Sequence, residues 1–367
     1  MDKNCLSFRI KLKFTLYFCL SLLSYKDRDS MRHSILQILV LSTTIFICSC
    51  SNDSRKQRDK AEEVLTEVRY YGEEPPGNSV KLFSPAIIST HRNERDITIS
   101  PPGTEIFYSM VLPTNNLSVI VYLYHDGAFW SDKLTAPFSG QYSDLEPAFS
   151  PDGQKLFFVS KRPTGENDES EDWNIWYVNK SSDGWSAPEE VGSPVNTDGE
   201  EYYPSVSNKG NLYFTASREA GYGKEDIYLS KFQNDSYGEP VNLGSGINSE
   251  KYEFNAFVAP DESYLLFSSF GREDGHGGGD LYISFRINDT TWTDAENLGP
   301  AINSDQLDYC PFVSPDGKYL FFTSHRFDPK ITTQRKKSYK SLVNLADGIE
   351  NGLGNIYWVA FDPSAWK

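Results

Sequence analysis

The sequence contains little that would hold it together covalently or carry it through a membrane. It has five cysteines in 367 residues, and three of them lie before residue 50. The two that remain are Cys50 and Cys310, and Cys310 is interpreted as a buried free thiol on an innermost strand, so no disulfide is expected. The apolar runs 14–23 and 35–47 are both shorter than the roughly 20 residues that cross a bilayer as a helix.

Positive charge is also scarce. The chain has 35 Lys and Arg against 51 Asp and Glu, a formal net charge of −16. Without the residues that precede Cys50, the balance is 28 basic against 48 acidic side chains, or −20. Such a surface repels nucleic acid phosphates and anionic lipid head groups. Nucleic acid is therefore excluded as a partner, and membrane contact is expected only through a lipid anchor.

Motifs of nucleophilic catalysis are absent from the sequence. There is no Gly-x-Ser-x-Gly element and no Cys and His pair at a supporting spacing. Four histidines follow Cys50. Three of them, His91, His276 and His325, lie in segments that the repeat described below would bring to one face of the fold. A metal site built from these three remains an alternative, but no cofactor is expected and no catalytic residue is assigned.

What the sequence does contain is a repeat of 50 to 57 residues. Each copy has a tight turn followed by an apolar strand, a third strand and an aromatic residue that is expected to open a fourth. The five turns are Ser100-Pro-Pro-Gly, Ser150-Pro-Asp-Gly, Ser207-Asn-Lys-Gly, Ala259-Pro-Asp-Glu and Ser314-Pro-Asp-Gly. Four strands at this spacing predict an all-β fold, a single β-propeller, rather than a two-sheet sandwich.

The two ends of the chain predict how the ring closes. The last copy stops at Lys367, where its fourth strand should begin. The segment 85–94 matches the segments that lead into the third and fourth copies, so residues near 79–90 are expected to supply the missing outer strand. This removes an exposed edge and gives a propeller over residues 79–367, most simply with five blades and alternatively with six.

The first 78 residues carry targeting signals. Met31-Arg-His and the apolar run that follows form a signal peptide over residues 31–49, with residues 1–30 as an upstream extension that need not be translated. The run ends in Ile47-Cys-Ser-Cys50, which resembles a bacterial lipobox with Cys50 as the lipidated residue. Residues 50–78 are predicted to be a tether, and the expected location is the bacterial outer membrane, facing the periplasm or the cell surface.

The repeat resembles a known family. Its fullest copies, Phe149–Arg162 and Val313–Arg326, are similar to the WD40-like repeat of TolB-type propellers in bacterial envelope proteins. The first copy departs from the pattern, with Pro102 in place of Asp and no Arg after Met110. The resemblance implies the fold and an envelope location, but it does not imply one particular function.

Two columns of charged residues recur at equivalent positions of the repeat and should line one rim of the propeller. A carboxylate lies six residues before each turn, and a basic residue follows the second strand in four copies. The acidic column is Glu94, Asp144, Glu201, Glu253 and Asp308, and the basic column is Arg162, Arg218, Arg272 and Arg326. A structural contact is needed in every blade, whereas a reaction needs its acidic residue only once. The two columns are therefore interpreted as structural.

Function is expected where the repeat is interrupted, on loops of that same rim. The fourth copy has a glycine-rich loop with His276, and the fifth has a long basic insertion, 327–352. The candidate binding rim is His276, Lys330, Arg335, Lys336, Lys337, Lys340 and His325. The sequence thus favours a lipoprotein that binds an envelope protein or glycan; the alternative is a carbohydrate-active hydrolase or lyase that uses rim carboxylates or histidines.

Overall fold

The computed structural model describes residues 69–113, 117–165, 168–328 and 336–367. The predicted signal peptide, the lipidated Cys50 and the basic residues Lys330 and Arg335 lie outside these described residues. In the described part no helix is long and apolar enough to cross a bilayer.

The fold is a five-bladed β-propeller, which confirms the predicted class and the smaller of the two blade counts. The innermost strands of the blades are β2 (Asn93–Ile99), β6 (Asp144–Phe149), β11 (Glu201–Val206), β17 (Tyr252–Val258) and β21 (Asp308–Val313). The second strands are β3 (Glu105–Val111), β7 (Lys155–Ser160), β12 (Leu212–Ala216), β18 (Tyr264–Phe270) and β22 (Tyr319–Ser324). The third strands are β4 (Ser118–Tyr124), β8 (Asn174–Ser181), β13 (Asp226–Ser230), β19 (Asp280–Phe285) and β23 (Asn355–Ala360).

The outer strands are short, and in the first four blades they begin later than the sequence predicts. They are β5 (Leu134–Thr135), β10 (Glu189–Glu190), β16 (Val241–Asn242), β20 (Glu296–Asn297) and β1 (Lys81–Leu82). The aromatic residues expected to open them instead belong to the hairpin that extends the third strand, as in β9 (Gly184–Trp185) and in the pair β14 (Phe232–Gln233) and β15 (Ser236–Tyr237). Their rings pack between blades; Trp185, for example, lies edge-on to Phe107 of the first blade at 5.9 Å.

The ring closes through the N-terminal strand, as predicted. Lys81 and Leu82 of β1 pair with Trp358 and Tyr357 of β23. Phe83 is fully buried and lies 5.2 Å from the ring of Trp358. The hydroxyl of Ser89 bonds to both the backbone N–H and the carbonyl of Ile356.

Ser89 fills a position that is repeated around the ring. In three other blades an asparagine at this position bonds to both backbone groups of the second residue of the third strand. These pairs are Asn196 with Ile175, Asn248 with Ile227, and Asn303 with Leu281. The closing segment is therefore a copy of the connections between blades, which explains why its register could be read from the sequence.

The propeller has two unlike ends. The rim face carries the connections between blades and the loops from second to third strands. The hairpin face carries the tight turns between first and second strands and the turns that follow the third strands. The chain enters at the hairpin face, where the ring of Tyr70 lies 5.2 Å from Tyr319 and Tyr71 lies 5.3 Å from Trp130. Among the described residues, packing on the propeller thus includes Tyr70, which precedes the predicted domain start at residue 79.

The basic insertion of the fifth blade has a closed base. Phe327 pairs with Asn351, and the backbone N–H of Asp328 donates to the carbonyl of Glu350 at 2.9 Å. Within the insertion, helix α1 (Tyr339–Ala346) begins at the N-cap Ser338 and has no buried residue. The described part of the insertion is therefore an appendage on the rim face rather than part of the core.

Candidate functional site

Each innermost strand contains a one-residue β-bulge, two residues after its column carboxylate. The pairing register shifts at this point, and the bulged residue adopts a left-handed φ between 49° and 60°. The five residues are Asp96, Glu146, Tyr203, Asn255 and Cys310. None is a glycine, so each conformation costs about 1–2 kcal/mol. Bulges re-aim side chains, and here they turn five different ones towards the propeller axis.

These side chains form one polar network around the axis, which we call the axial cluster together with Arg95. Arg95 donates from Nε to Asp96 at 2.7 Å and from Nη2 to Glu146 at 2.8 Å. The Cys310 thiol lies 2.6 Å from Asp96 Oδ1, and Asn255 Nδ2 donates to Glu146 Oε1 at 3.2 Å. The network therefore connects blades one, two, four and five through side chains alone.

Tyr203 supplies the third blade and extends across the axis. Its hydroxyl donates to the carbonyl of Pro311 in the fifth blade at 3.0 Å, and its backbone N–H donates to Glu146 Oε2 at 2.6 Å. On the hairpin face a separate cavity of about 360 Å³ is lined by residues further along the same strands, including Phe257 and Phe312. No member of the axial cluster lines that cavity, so the two ends of the axis differ in chemistry.

On the rim face the cluster is covered by aromatic residues. The Arg95 guanidinium lies 5.0 Å from the centre of the Tyr309 ring, whose hydroxyl is 3.3 Å from Nε2 of His325. Tyr202, Phe254 and Leu307 pack around this group and are only partly buried. We call the set the axial mouth: Arg95, Tyr202, Phe254, Leu307, Tyr309 and His325.

Arg95 is the member of the axial cluster that remains open to the mouth. Its side chain is 18% exposed, whereas those of Asp96 and Glu146 are 1% and 4% exposed. The Nε and Nη2 atoms bond to the cluster, but no described residue accepts a hydrogen bond from Nη1. A pair of N–H donors is therefore available to a ligand.

Burial sets the protonation states in the cluster. Burial raises the pKa of Glu146 from 4.5 to about 7, with the Arg95 charge opposing the rise and Asp96 adding to it. Burial, followed by the Asp96 charge, raises the pKa of Cys310 well above its usual value, so the thiol stays protonated. Burial also lowers the pKa of His325, and the nearby Arg95 lowers it further. The cluster therefore contains no reactive thiolate.

The predicted columns form ion pairs on the rim face in four of the five blades. Every column carboxylate is at most 2% exposed, and each column arginine also donates to a backbone carbonyl of the connection between blades. The pairs are Arg162 with Asp144 at 2.8 Å, Arg218 with Glu201 at 3.6 Å, Arg272 with Glu253 at 3.0 Å and Arg326 with Asp308 at 3.1 Å. In the first blade Glu94 instead accepts from the backbone of Thr90 and from Asn355.

Among the predicted binding-rim residues that the structure describes, one is in contact with another residue of the axial mouth. His325 is half-buried and belongs to the axial mouth. His276 is exposed on its glycine-rich loop, where its backbone N–H donates to Asp280. In the insertion, Lys336 and Lys340 are exposed and Lys337 is partly exposed. Among these described residues, His325 is thus the predicted one that lies at the axis.

A site formed by three histidines has no support in the geometry. His91 and His276 are exposed, whereas His325 contacts Tyr309 at the mouth. Across the described ranges, no group of three or more His, Cys, Asp and Glu side chains is arranged to hold a metal ion. The column carboxylates are also poorly suited to acid or base chemistry, because they are buried and hydrogen-bonded.

The axial cluster was missed from the sequence, although a signal for it is present. The five copies of the repeat are otherwise similar, but the second residue after the column carboxylate is different in each of them. Strand alternation gave no reason to place that residue on the axis, because a bulge breaks the two-residue period. The cluster becomes apparent only when the bulge is known.

Comparison with known proteins gives structural likeness only. No family model matches the chain, and no curated protein matches it. Among solved structures, it is similar to TolB from Acinetobacter baumannii, with 14% identity over 74% of this chain and a TM-score of 0.39. This chain spans 55% of that TolB, little more than half of its length.

Two further solved structures are similar over most of their length. One is a glycoside hydrolase, with 9% identity, 82% of this chain and 95% of the hydrolase covered, and a TM-score of 0.49. The other is an α-L-arabinofuranosidase from Lactobacillus brevis, with 13% identity, 76% and 94% of the two chains covered, and a TM-score of 0.45. At these identities and scores, the likeness indicates nothing about the activity of the present chain.

Proposed function

We propose that this protein is an envelope-anchored lipoprotein whose axial mouth binds a protein or glycan partner without catalysing a reaction. One observation carries the proposal: the residues that differ between blades converge on the rim-face end of the axis. There they place a partly exposed guanidinium among aromatic rings. Apolar and aromatic side chains around a few directed polar groups are a common lining of binding sites.

Binding is favoured over catalysis by the state of the two axial carboxylates. A general acid or base must come within hydrogen-bond reach of a substrate atom. Glu146 already accepts from Arg95, Asn255 and the backbone of Tyr203, and only 4% of its side chain is exposed. Asp96 is likewise covered by Arg95 and Cys310. The group that the mouth presents to a ligand is a donor, not a carboxylate.

The envelope location is proposed from the sequence. It depends on the lipobox ending at Cys50 and on the resemblance of the repeat to TolB-type propellers. The net charge of −20 after Cys50 supports contact with the membrane through the lipid alone, since anionic head groups repel such a surface.

A photo-crosslinking experiment in the native envelope tests the binding role. A photoreactive phenylalanine analogue replaces Phe254 at the axial mouth and, as the matched control, Phe129 on the hairpin face, which is 77% exposed. Discrete adducts from position 254 and none from position 129 are expected. The double variant Tyr202→Ala, Phe254→Ala should lose partner capture, and undiminished capture by this variant would overturn the mouth as the site.

A second function, glycoside hydrolysis, is favoured by one observation. Burial raises the pKa of Glu146 to about 7, and a carboxyl group that is partly protonated at neutral pH is suited to act as a general acid. The test is the release of reducing ends from envelope and plant polysaccharides by the parent protein and by Glu146→Gln. Turnover by the parent that the variant lacks would replace the binding proposal.

A further inference from the structure

We infer that the ligand of the axial mouth is an acidic saccharide, recognised through a carboxylate that receives a hydrogen bond from Arg95 Nη1. The inference rests on the proposed function and specifies the ligand class for the same site. It follows from the position of one guanidinium, from the aromatic rings around it and from the backbone N–H groups at the mouth that already donate to a neighbouring blade.

The first step concerns the direction of the available donors. Arg95 is fixed by Asp96 and Glu146 through Nε and Nη2, and Nη1 is the nitrogen that donates to no residue in the described part of the chain. The Tyr309 ring lies 5.0 Å from the guanidinium carbon and helps to hold its plane. A preorganised guanidinium loses little side-chain entropy when it binds, and carboxylates and phosphates are the anions that match its N–H groups. The site therefore selects an oxyanion.

The second step concerns the other cations of the rim face. The four column arginines are each tied to a buried carboxylate and to a backbone carbonyl. Lys336 and Lys340 lie on the exposed insertion. Within the axial mouth, Arg95 is accordingly the side chain that carries a fixed positive charge. Asp96, Glu146 and Glu200, which accepts a hydrogen bond from the Tyr202 hydroxyl, all oppose negative charge here. A single carboxylate is therefore accommodated better than a dianionic phosphate.

The third step separates a saccharide from a peptide. An extended peptide binds by adding backbone hydrogen bonds to a free strand edge. At the mouth part of this edge is already used, because in four of the five blades the backbone N–H of the column carboxylate residue donates to the preceding blade. The bonds run from Glu94 to Gly354, from Glu201 to Trp173, from Glu253 to Glu225 and from Asp308 to Gly279, at 2.9 to 3.0 Å.

The walls of the mouth suit a sugar ring. Tyr202, Phe254 and Leu307 present partly exposed apolar surface beside Arg95. A pyranose brings an apolar ring face for such surfaces and supplies its own hydroxyl groups for hydrogen bonding. A uronic acid adds a carboxylate at the ring edge. The combination of ring stacking and one charge-assisted hydrogen bond needs no backbone edge.

The test uses the mature lipidated chain in detergent and measures affinity by calorimetry and ligand-observed NMR. The probes are disaccharides of galacturonate and of glucuronate, with the corresponding neutral disaccharides as matched controls. The acidic probes are expected to bind at least about tenfold more tightly than the neutral ones, which is the range of a charge-assisted hydrogen bond. No binding of any uronate up to about 10 mM would overturn the inference.

Two sets of variants connect the affinity to the mouth. Arg95→Lys keeps the charge but loses Nη1, and its preference for the acidic probes should fall to within about threefold. Tyr202→Ala with Phe254→Ala leaves the axial cluster intact and should weaken uronate binding even if Arg95→Lys does not fold. Lys231→Ala, at an exposed position on the hairpin face, is the matched control and should bind as the parent does. Equal uronate affinity in the Tyr202 and Phe254 variant would overturn the inference.

A comparison of two peptides shows whether only the ligand class is wrong or whether the proposed function is wrong. A short peptide with a free C-terminal carboxylate is compared with its amide. Binding of the free acid alone, with no uronate binding, would replace the saccharide by a protein C-terminus and leave the axial mouth as the site. Partner capture that is indifferent to the Tyr202 and Phe254 variant would instead remove the mouth itself.

Discussion

At the scale of single residues, Glu146 combines a structural role with an unusual protonation equilibrium. In three blades a hydroxyl of the second strand accepts the backbone N–H of the bulged residue in the next blade. The pairs are Ser109 with Glu146, Thr215 with Asn255 and Thr323 with Asp96. The second blade has Val159 at this position, and the Glu146 carboxylate accepts the N–H of Tyr203 instead. Glu146 thus completes the ring where the repeat lacks a hydroxyl.

This carboxyl should make stability depend on pH. Its pKa is about 7 in the folded protein against an ordinary 4.5, so the folded state binds the proton more tightly. The contribution is fully present below pH 4.5 and is lost as the pH rises through 7. It amounts to about 3 kcal/mol in total. Glu146→Gln should therefore flatten the fall in unfolding free energy between pH 5 and 7, measured by urea denaturation at each pH.

Burial also raises the pKa of Glu94, Glu201 and Asp308. These carboxyls therefore also lower the unfolding free energy as the pH rises. They are unchanged in the variant, so the difference between the two pH profiles isolates position 146. Glutamine keeps an oxygen that accepts from Tyr203, which limits the structural loss. Parallel profiles for parent and variant would show that Glu146 does not titrate in this window.

At the scale of elements, the closing strand is small, but its neighbourhood is extensively packed. β1 contributes only two residues to the fifth blade, yet Phe83 beside it is fully buried between Phe321 and Trp358. Deleting residues 79–90 should leave β23 with an unpaired edge and cause aggregation. The milder Phe83→Ala should cost about 3–5 kcal/mol in unfolding free energy.

Thermal unfolding and light scattering measure both outcomes. Phe129→Ala is the control, since the ring of Phe129 is largely exposed and its loss should change stability by less than about 0.5 kcal/mol. A soluble deletion variant with the melting temperature of the parent would mean that β1 does not close the ring.

The insertion should behave in the opposite way. Replacing residues 329–349 by a short Gly-Ser turn retains the pairing of Phe327 with Asn351 and removes α1, which buries no residue. Loop closure adds only about 0.6 kcal/mol per doubling of length, so the unfolding free energy should change little. Partner capture should fall, because the insertion begins two residues after His325 of the axial mouth.

Arg162→Ala provides the contrasting variant for the insertion experiment. It leaves Asp144 buried without the guanidinium that pairs with it. The melting temperature should therefore fall more than partner capture does. If the replacement of the insertion captures partner as well as the parent does, binding does not involve the insertion.

The elements also show what could be predicted from the sequence. Turns such as Ser150-Pro-Asp-Gly fix φ locally, so they mark each copy of the repeat in the sequence. Aligning the copies on these turns predicted the strands, the blade count and the closing segment. The fourth blade illustrates the limit: Glu262 occupies a left-handed position that is glycine in the other four turns. It is buried and accepts from Lys209 and Arg286, which are distant in sequence. Contacts of this kind, like the axial cluster, depend on register and burial that local patterns do not encode.

At the scale of the whole molecule, the anchoring proposal concerns the predicted lipidated residue. If the mature chain begins at an acylated Cys50, metabolic palmitate should label the protein and it should sediment with membranes. Several acyl chains, at about 0.8 kcal/mol per buried CH₂, hold a protein stably on a bilayer. Cys50→Ala should lose both properties, and a labelled, membrane-bound Cys50→Ala protein would refute the assignment.

The point at which the chain enters the propeller predicts how an anchored molecule is oriented. Tyr70 and Tyr71 pack at the hairpin face, on Tyr319 and Trp130. The 20 residues between Cys50 and Tyr70 extend at most about 70 Å. An anchor attached at this side should keep the hairpin face nearer the bilayer on average and leave the axial mouth directed outward, where a ligand can reach it.

Fluorescence quenching on vesicles tests this orientation. A dye is attached through Ser182→Cys on the hairpin face or Lys340→Cys on the rim face, both exposed positions, while the native Cys310 is buried and should not react. The vesicles carry a quencher on their lipid head groups. Stronger quenching at position 182 than at position 340 is expected, because quenching falls steeply with distance from the bilayer. The reverse order would place the axial mouth against the membrane and would favour a lipid-borne ligand over a soluble one.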